Sequence, residues 1–188
     1  MNDQGEVRFE TGFTEGLVAD GSAEVEPGKL DLFGQFIGSW SVGWSGRGSN
    51  LDRVSMRGNV RFDWLIEGQA VQDVWEVPTA DQYVMSNLND GIHGTTVRFY
   101  DPSFDTWRCV WIEPSKAVVR QFYGWREGDD IILFSDEEKP YVRWCFTEIS
   151  DRSFVILRET SPDNGSTWDL EEEMRLTRIE NPRLIPES

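Results

Sequence analysis

Nine tryptophans in 188 residues recur in alternating rows rather than singly. Trp40–Val42–Trp44, Phe62–Trp64–Ile66, Trp107–Cys109–Trp111, Tyr123–Trp125 and Trp144–Phe146 each set a large side chain at every second position. A β-strand points successive side chains to opposite faces, so each row lies on one face of a sheet. Rings this wide, strand after strand, suit the inside of a closed barrel. With about eight strands or more, such a barrel is filled by side chains or left hollow around one small ligand. The predicted fold class is all-β, an antiparallel barrel of about eight to ten strands.

Strands are expected at 39–46, 54–66, 69–77, 95–101, 106–113, 117–126, 130–135, 142–149, 153–160 and 168–178. Turn chemistry punctuates them: Glu67-Gly68, Asp101-Pro102, Glu113-Pro114, Glu127-Gly128-Asp129, Ser150-Asp151 and Pro162-Asp163-Asn164-Gly165. Gly and Asn tolerate positive φ, and Pro presets the first turn position. Short connections make consecutive strands antiparallel neighbours. Leu30, Phe33 and Ile37 repeat at helical spacing, predicting a short helix before Gly38. Residues 1–26 read as a flexible N-terminal segment, 27–178 as one barrel domain and 179–188 as a C-terminal tail. The long gap at 78–94 reads as a lid or a mobile loop.

Net charge is −16, from 18 basic and 34 acidic residues, which repels nucleic acid and anionic lipid. No apolar run reaches the ~20 residues of a membrane span. The opening MNDQGEVRFE lacks the basic-then-apolar order of a signal peptide, so a cytoplasmic location is expected. Cys109 and Cys145 fall in strands that are not sequence neighbours and are expected to be free, buried thiols.

The helix-like Leu30–Ile37 followed by Gly38-Ser39-Trp40 resembles the opening of the calycin superfamily, which includes lipocalins and fatty-acid-binding proteins. That resemblance implies a plug helix at one barrel end, Trp40 capping that end, and a last-strand arginine over its indole. Arg178 shares the phase of Trp168, Leu170, Met174 and Leu176 and is the expected partner. Gly68 to Trp75, then Tyr100-Asp101-Pro102 and Trp107, is similar to small lipocalin-like bacterial proteins of unknown function. GSWSVGWSGRG also resembles nitrobindins, which bind haem through a histidine. The one histidine, His93, is expected in a loop, which disfavours haem.

Asp73 shares a face with Val71, Trp75 and Val77. Facing inward, it is either a general acid, base or ligand anchor with a raised pKa, or a carboxylate paired with an arginine such as Arg98 or Arg120. His93 and Tyr123 are the other candidate catalytic groups. Expected cavity residues are Trp64, Asp73, Trp75, Trp111, Gln121, Tyr123 and Trp144. Arg158 or Glu159 must face inward if their strand runs that far. No nucleophile motif or phosphate loop is present, one histidine and two separated cysteines do not make a zinc site, and no cofactor is expected.

These features support two main readings. One is a barrel that binds a small, largely apolar or aromatic molecule. The other is a cofactor-independent cyclase or isomerase folding a polyketide- or terpenoid-like substrate in the same cavity. A barrel filled by its own tryptophans, acting through a surface or as a homodimer, is the third.

Overall fold

A computed structural model describes residues 17–24, 28–47, 52–79, 91–135, 137 and 139–180. Most of the expected N-terminal segment (1–16), the centre of the expected loop (80–90) and residues 181–188 lie outside the described residues. Ten long strands follow one another: β2 Gly38–Arg47, β3 Arg53–Leu65, β4 Ala70–Val77, β5 Ile92–Asp101, β6 Thr106–Glu113, β7 Val118–Glu127, β8 Asp130–Ser135, β9 Tyr141–Thr147, β10 Ser153–Ser161 and β11 Asp169–Arg178. Each pairs antiparallel with the next, and β11 returns to pair with β2, with Arg178 opposite Trp40 and Met174 opposite Trp44. The result is a closed up-and-down barrel with no free edge among these ten strands. A short β1, Val18–Ala19, pairs with Leu65 and Trp64 at the end of β3.

The inner rows follow the pleat. Trp40, Val42 and Trp44 are buried along β2, with Val60 and Phe62 on β3, Trp107, Cys109 and Trp111 on β6, and Trp144 and Phe146 on β9. One end of the barrel is sealed by α1 (Asp31–Gly34) and the turn after it. A single helical turn has no stability of its own. It is held by Phe33 and Phe36, which are buried against Trp107 (4.8 Å), Phe154 (4.5 Å) and Phe146 (5.5 Å from Phe36).

Gly38 turns the chain from the plug into β2 with φ +119°, and a Cβ there would lie 2.9 Å from Arg178 Nη1. That guanidinium lies 4.0 Å over the Trp40 ring and donates to the carbonyls of Ile37 (2.7 Å), Gln35 (2.9 Å) and Asp151 (2.7 Å). It thereby supplies donors to carbonyls that the end of a helix leaves without partners. Trp40 Nε1–H donates to Phe36 O at 2.7 Å.

A phase in β11 and the start of β5 differ from expectation. A β-bulge at Arg158/Glu159 shifts the register against β11, so Trp168 lies outside the barrel, against Phe134 and Arg143. Strand β5 begins at Ile92, three residues earlier than expected, so His93 is a strand residue rather than a loop residue.

The thiols are free, with Cys109 buried and Cys145 only half-buried. Cys145 lies between inward Trp144 and Phe146, so the pleat turns it outward. Burial pushes the Cys109 thiol up to about 12, while burial and neighbouring Asp130 push Cys145 up to about 11. At about pH 8 the thiolate fraction is roughly one part in a thousand or less at either site. A disulfide reagent is therefore expected to leave the native protein unlabelled and to titrate both thiols only after denaturation. Rapid labelling of the native protein contradicts this environment. An unfolded thiol ionises near its ordinary value of 9.0, so the thiol contribution to folding holds below that pH and is lost as pH rises toward 11–12.

Candidate functional site

The plug end of the barrel is filled. Beneath α1, Arg98 (β5) and Asp73 (β4) form a fully buried ion pair through Nη2 and Oδ2. Thr96 N–H donates to Asp73 Oδ1 at 2.8 Å, and the Arg98 guanidinium lies 4.8 Å from the Phe33 ring and 5.5 Å from Phe62. Of the two expectations for Asp73, the structure shows the carboxylate paired with Arg98. Trp64 also lies at this end, its ring so near Gly34 that a Cβ there would stand 2.7 Å away.

The opposite end is hollow. A cavity of about 140 Å³ is walled by Trp111, Phe122, Val142 and Trp144, with Ile92 and Val118 at its edge. Trp111 and Trp144 meet at 5.5 Å with planes 52° apart, and Phe122 meets Trp144 edge-on at 6.2 Å. Trp144 Nε1–H is buried, and among the described residues no hydrogen-bond acceptor reaches it. Trp75 lies in the core beside this region, opposite Gly94 in the sheet, and the Trp111 ring lies over the same glycine.

Charged groups ring the mouth. Glu172 accepts from Trp44 Nε1 at 2.8 Å and faces Arg158 Nη1 at 3.2 Å. Glu113 lies 2.9 Å from Lys116 Nζ, and that ammonium also donates to Gly91 O at 2.5 Å. Arg120 completes the lining, which carries three cationic groups against two carboxylates. Arg158 is thus the inward member of its pair, and Glu159 faces out to Arg143 at 2.6 Å.

Of the seven expected cavity residues, Trp111 and Trp144 line the cavity. Trp75 is packed in the wall, and Trp64 and Asp73 belong to the plug end. Gln121 and Tyr123 are exposed on the outer face of β7, where Arg108 stacks 5.1 Å from the Tyr123 ring. The inner row of β7 is Val118, Arg120, Phe122 and Gly124. Gly124 suits that row, because a Cβ there would meet Leu133 Cδ2 at 2.6 Å and Trp107 Cβ at 3.3 Å. The reversal arises because the outer row of β7, Val119, Tyr123 and Trp125, is as apolar as the inner one. His93 is half-buried, and burial pushes its pKa below the ordinary imidazole value. Its strand neighbour Ile92 is the one that lines the cavity, so the pleat turns His93 to the outer face. Asp73, His93 and Tyr123 are therefore not brought together.

Among the described residues, no cluster of three or more His, Cys, Asp or Glu side chains is placed to hold a metal ion. No helix among them is long and apolar enough to cross a membrane.

No protein-family model matches the sequence, and no curated protein matches it. Solved structures do. Rv2717c from M. tuberculosis is similar over 81% of this chain and 98% of its own, with a TM-score of 0.52 and 12% identity. The S-type phycobiliprotein lyase CPES from Guillardia theta is similar over 80% of this chain and 92% of its own, with a TM-score of 0.53 and 11% identity. Likeness at these identities is one of fold: a calycin-like closed barrel.

Proposed function

We propose that the protein binds a small, largely apolar molecule, about the size of one substituted ring, in the cavity opposite the plug. The observation that carries this reading is an aromatic-walled hollow of about 140 Å³ beside the acceptor-less indole N–H of Trp144. An apolar cavity near ~150 Å³ admits benzene; this one has a like volume, with an aromatic wall and five charged residues, Glu113, Lys116, Arg120, Arg158 and Glu172, in its lining. A ligand with one hydrogen-bond acceptor would also satisfy Trp144, for a net gain of about 0.5–1.5 kcal/mol.

A cyclase or isomerase needs a general acid or base at the reacting atoms. The groups expected to serve, Asp73, His93 and Tyr123, stand elsewhere, and Glu113 and Glu172 each face a cation. Binding is therefore the reading we adopt.

Native mass spectrometry of the purified protein, followed by identification of any molecule released on denaturation, tests it directly. Tryptophan fluorescence titrated with benzoate, indole and benzene gives the second readout. Trp144→Phe keeps the ring and removes the N–H, so benzoate binding is expected to weaken roughly 3- to 10-fold while benzene binding holds. A clean apo mass with no fluorescence response to any of the three probes would overturn the reading.

A further inference from the structure

The outer face of β4–β7 carries an apolar surface that the binding reading leaves unused. Cross-strand register sets Val74, Thr95, Ile112 and Val119 side by side in one row. The next row is Gln72, Val97, Val110 and Gln121, and the third runs from Phe99 through Arg108 to Tyr123. Val119 is 69% exposed and Val74 50%; Phe99, Ile112, Tyr123 and neighbouring Trp125 are exposed as well. In a chain with 34 acidic residues, these three rows hold no carboxylate. Their single charge, Arg108, faces Asp101 at 3.6 Å and stacks on Tyr123.

We propose that this face is the interface between two copies of the chain, packed sheet against sheet. Area is the first argument. Four strands about 4.8 Å apart and three rows about 6.8 Å apart give a face roughly 20 Å square. Its plan area is about 400 Å², and side-chain relief brings it at most toward the roughly 800 Å² that one partner gives to a standard interface.

Charge is the second argument. Two particles of net charge −16 repel, and a contact free of carboxylates brings them together with the least added repulsion. A basic partner would instead be met by carboxylates across the patch; the three rows hold none, and Glu137, which accepts from Gln121 N–H at 3.2 Å, and Asp101, 3.6 Å from Arg108, stand at its rim. A two-fold interface needs only a self-complementary surface. Interdigitating β-branched and aromatic side chains on a flat sheet supply that, and the exposed Gln121 amide both donates and accepts, so it can pair with its own copy.

Sedimentation velocity of the full chain from low to high micromolar concentration tests the proposal. The expected result is a species of twice 21.7 kDa. Val119→Glu, and separately the near-isosteric Gln121→Glu, set like charges face to face. Each is expected to raise the dimer Kd by about 30-fold or more with an unchanged far-UV CD spectrum. Ser55→Glu, on the exposed outer face of β3, serves as the control and is expected to leave the dimer intact. A wild-type monomer throughout the range overturns the proposal; that result would follow if residues outside the described ones, or a different protein, cover the face. A dimer that survives both patch substitutions, or that Ser55→Glu dissociates equally well, overturns it too.

Discussion

Asp73→Ala is expected to lower the stability of the protein by about 3–5 kcal/mol. The substitution removes the carboxylate that faces Arg98 and leaves a guanidinium fully buried between Phe33 and Phe62. It also takes the acceptor from Thr96 N–H. Among the described residues Arg98 Nε and Nη1 already lack partners, so no second acceptor there absorbs the lost interaction. For a chain of this length each kcal/mol moves Tm by about 2–4 °C, giving a drop on the order of 10 °C. Combining Asp73→Ala with Arg98→Leu should recover most of the loss, because neither a buried charge nor an orphaned donor remains. Urea denaturation of the two variants measures both. Benzoate affinity per folded molecule should be unchanged in Asp73→Ala, since the cavity lies at the other end of the barrel. A fully stable Asp73→Ala variant that no longer binds would instead place Asp73 at the ligand.

The ten long strands were readable because their boundaries are written in turn chemistry and their inner faces in rings. Trp40–Trp44, Trp107–Trp111 and Trp144–Phe146 alternate with Ser41 and Gly43, Arg108 and Val110, and Cys145, all smaller or more polar than the rings, which favours one face. Strand β7 gave no such choice. Its outer row holds Val119, Tyr123 and Trp125, while its inner row includes Arg120, so hydrophobicity alone selects the wrong face. The signal that could have reversed it is Gly124, a residue without a side chain in the row that must pass Trp107 and Leu133. The charged mouth was hidden for a different reason. Glu172 stands in the run Glu171-Glu172-Glu173, which reads as a solvated face; only the closure of β11 onto β2 and β10 brings it to Trp44 and Arg158. The apolar outside of β7 that misleads the phase is also part of the face assigned above to a second copy. There, local pattern and tertiary demand conflict because both faces of one strand are to be buried.

Trp40→Ala is expected to cost about 3–5 kcal/mol, as truncation of a fully buried tryptophan does. The ring is the floor on which the plug rests. It packs edge-on against Phe154 at 4.7 Å, bonds Phe36 O through Nε1, and supports the Arg178 guanidinium on its outer surface. Arg178→Ala alone is expected to cost about 2 kcal/mol or more, through lost donors to three carbonyls and a lost cation–π contact. The two changes should not add. Without the indole beneath it, Arg178 is no longer held in the geometry that reaches Ile37 O and Gln35 O, so part of its contribution is already gone in Trp40→Ala. The double variant is therefore expected to be more stable than the sum of the singles predicts, by about 0.5–3 kcal/mol. Equilibrium denaturation of all four proteins measures that coupling. Strict additivity would mean that Arg178 fixes the plug by itself and that its place over Trp40 is incidental.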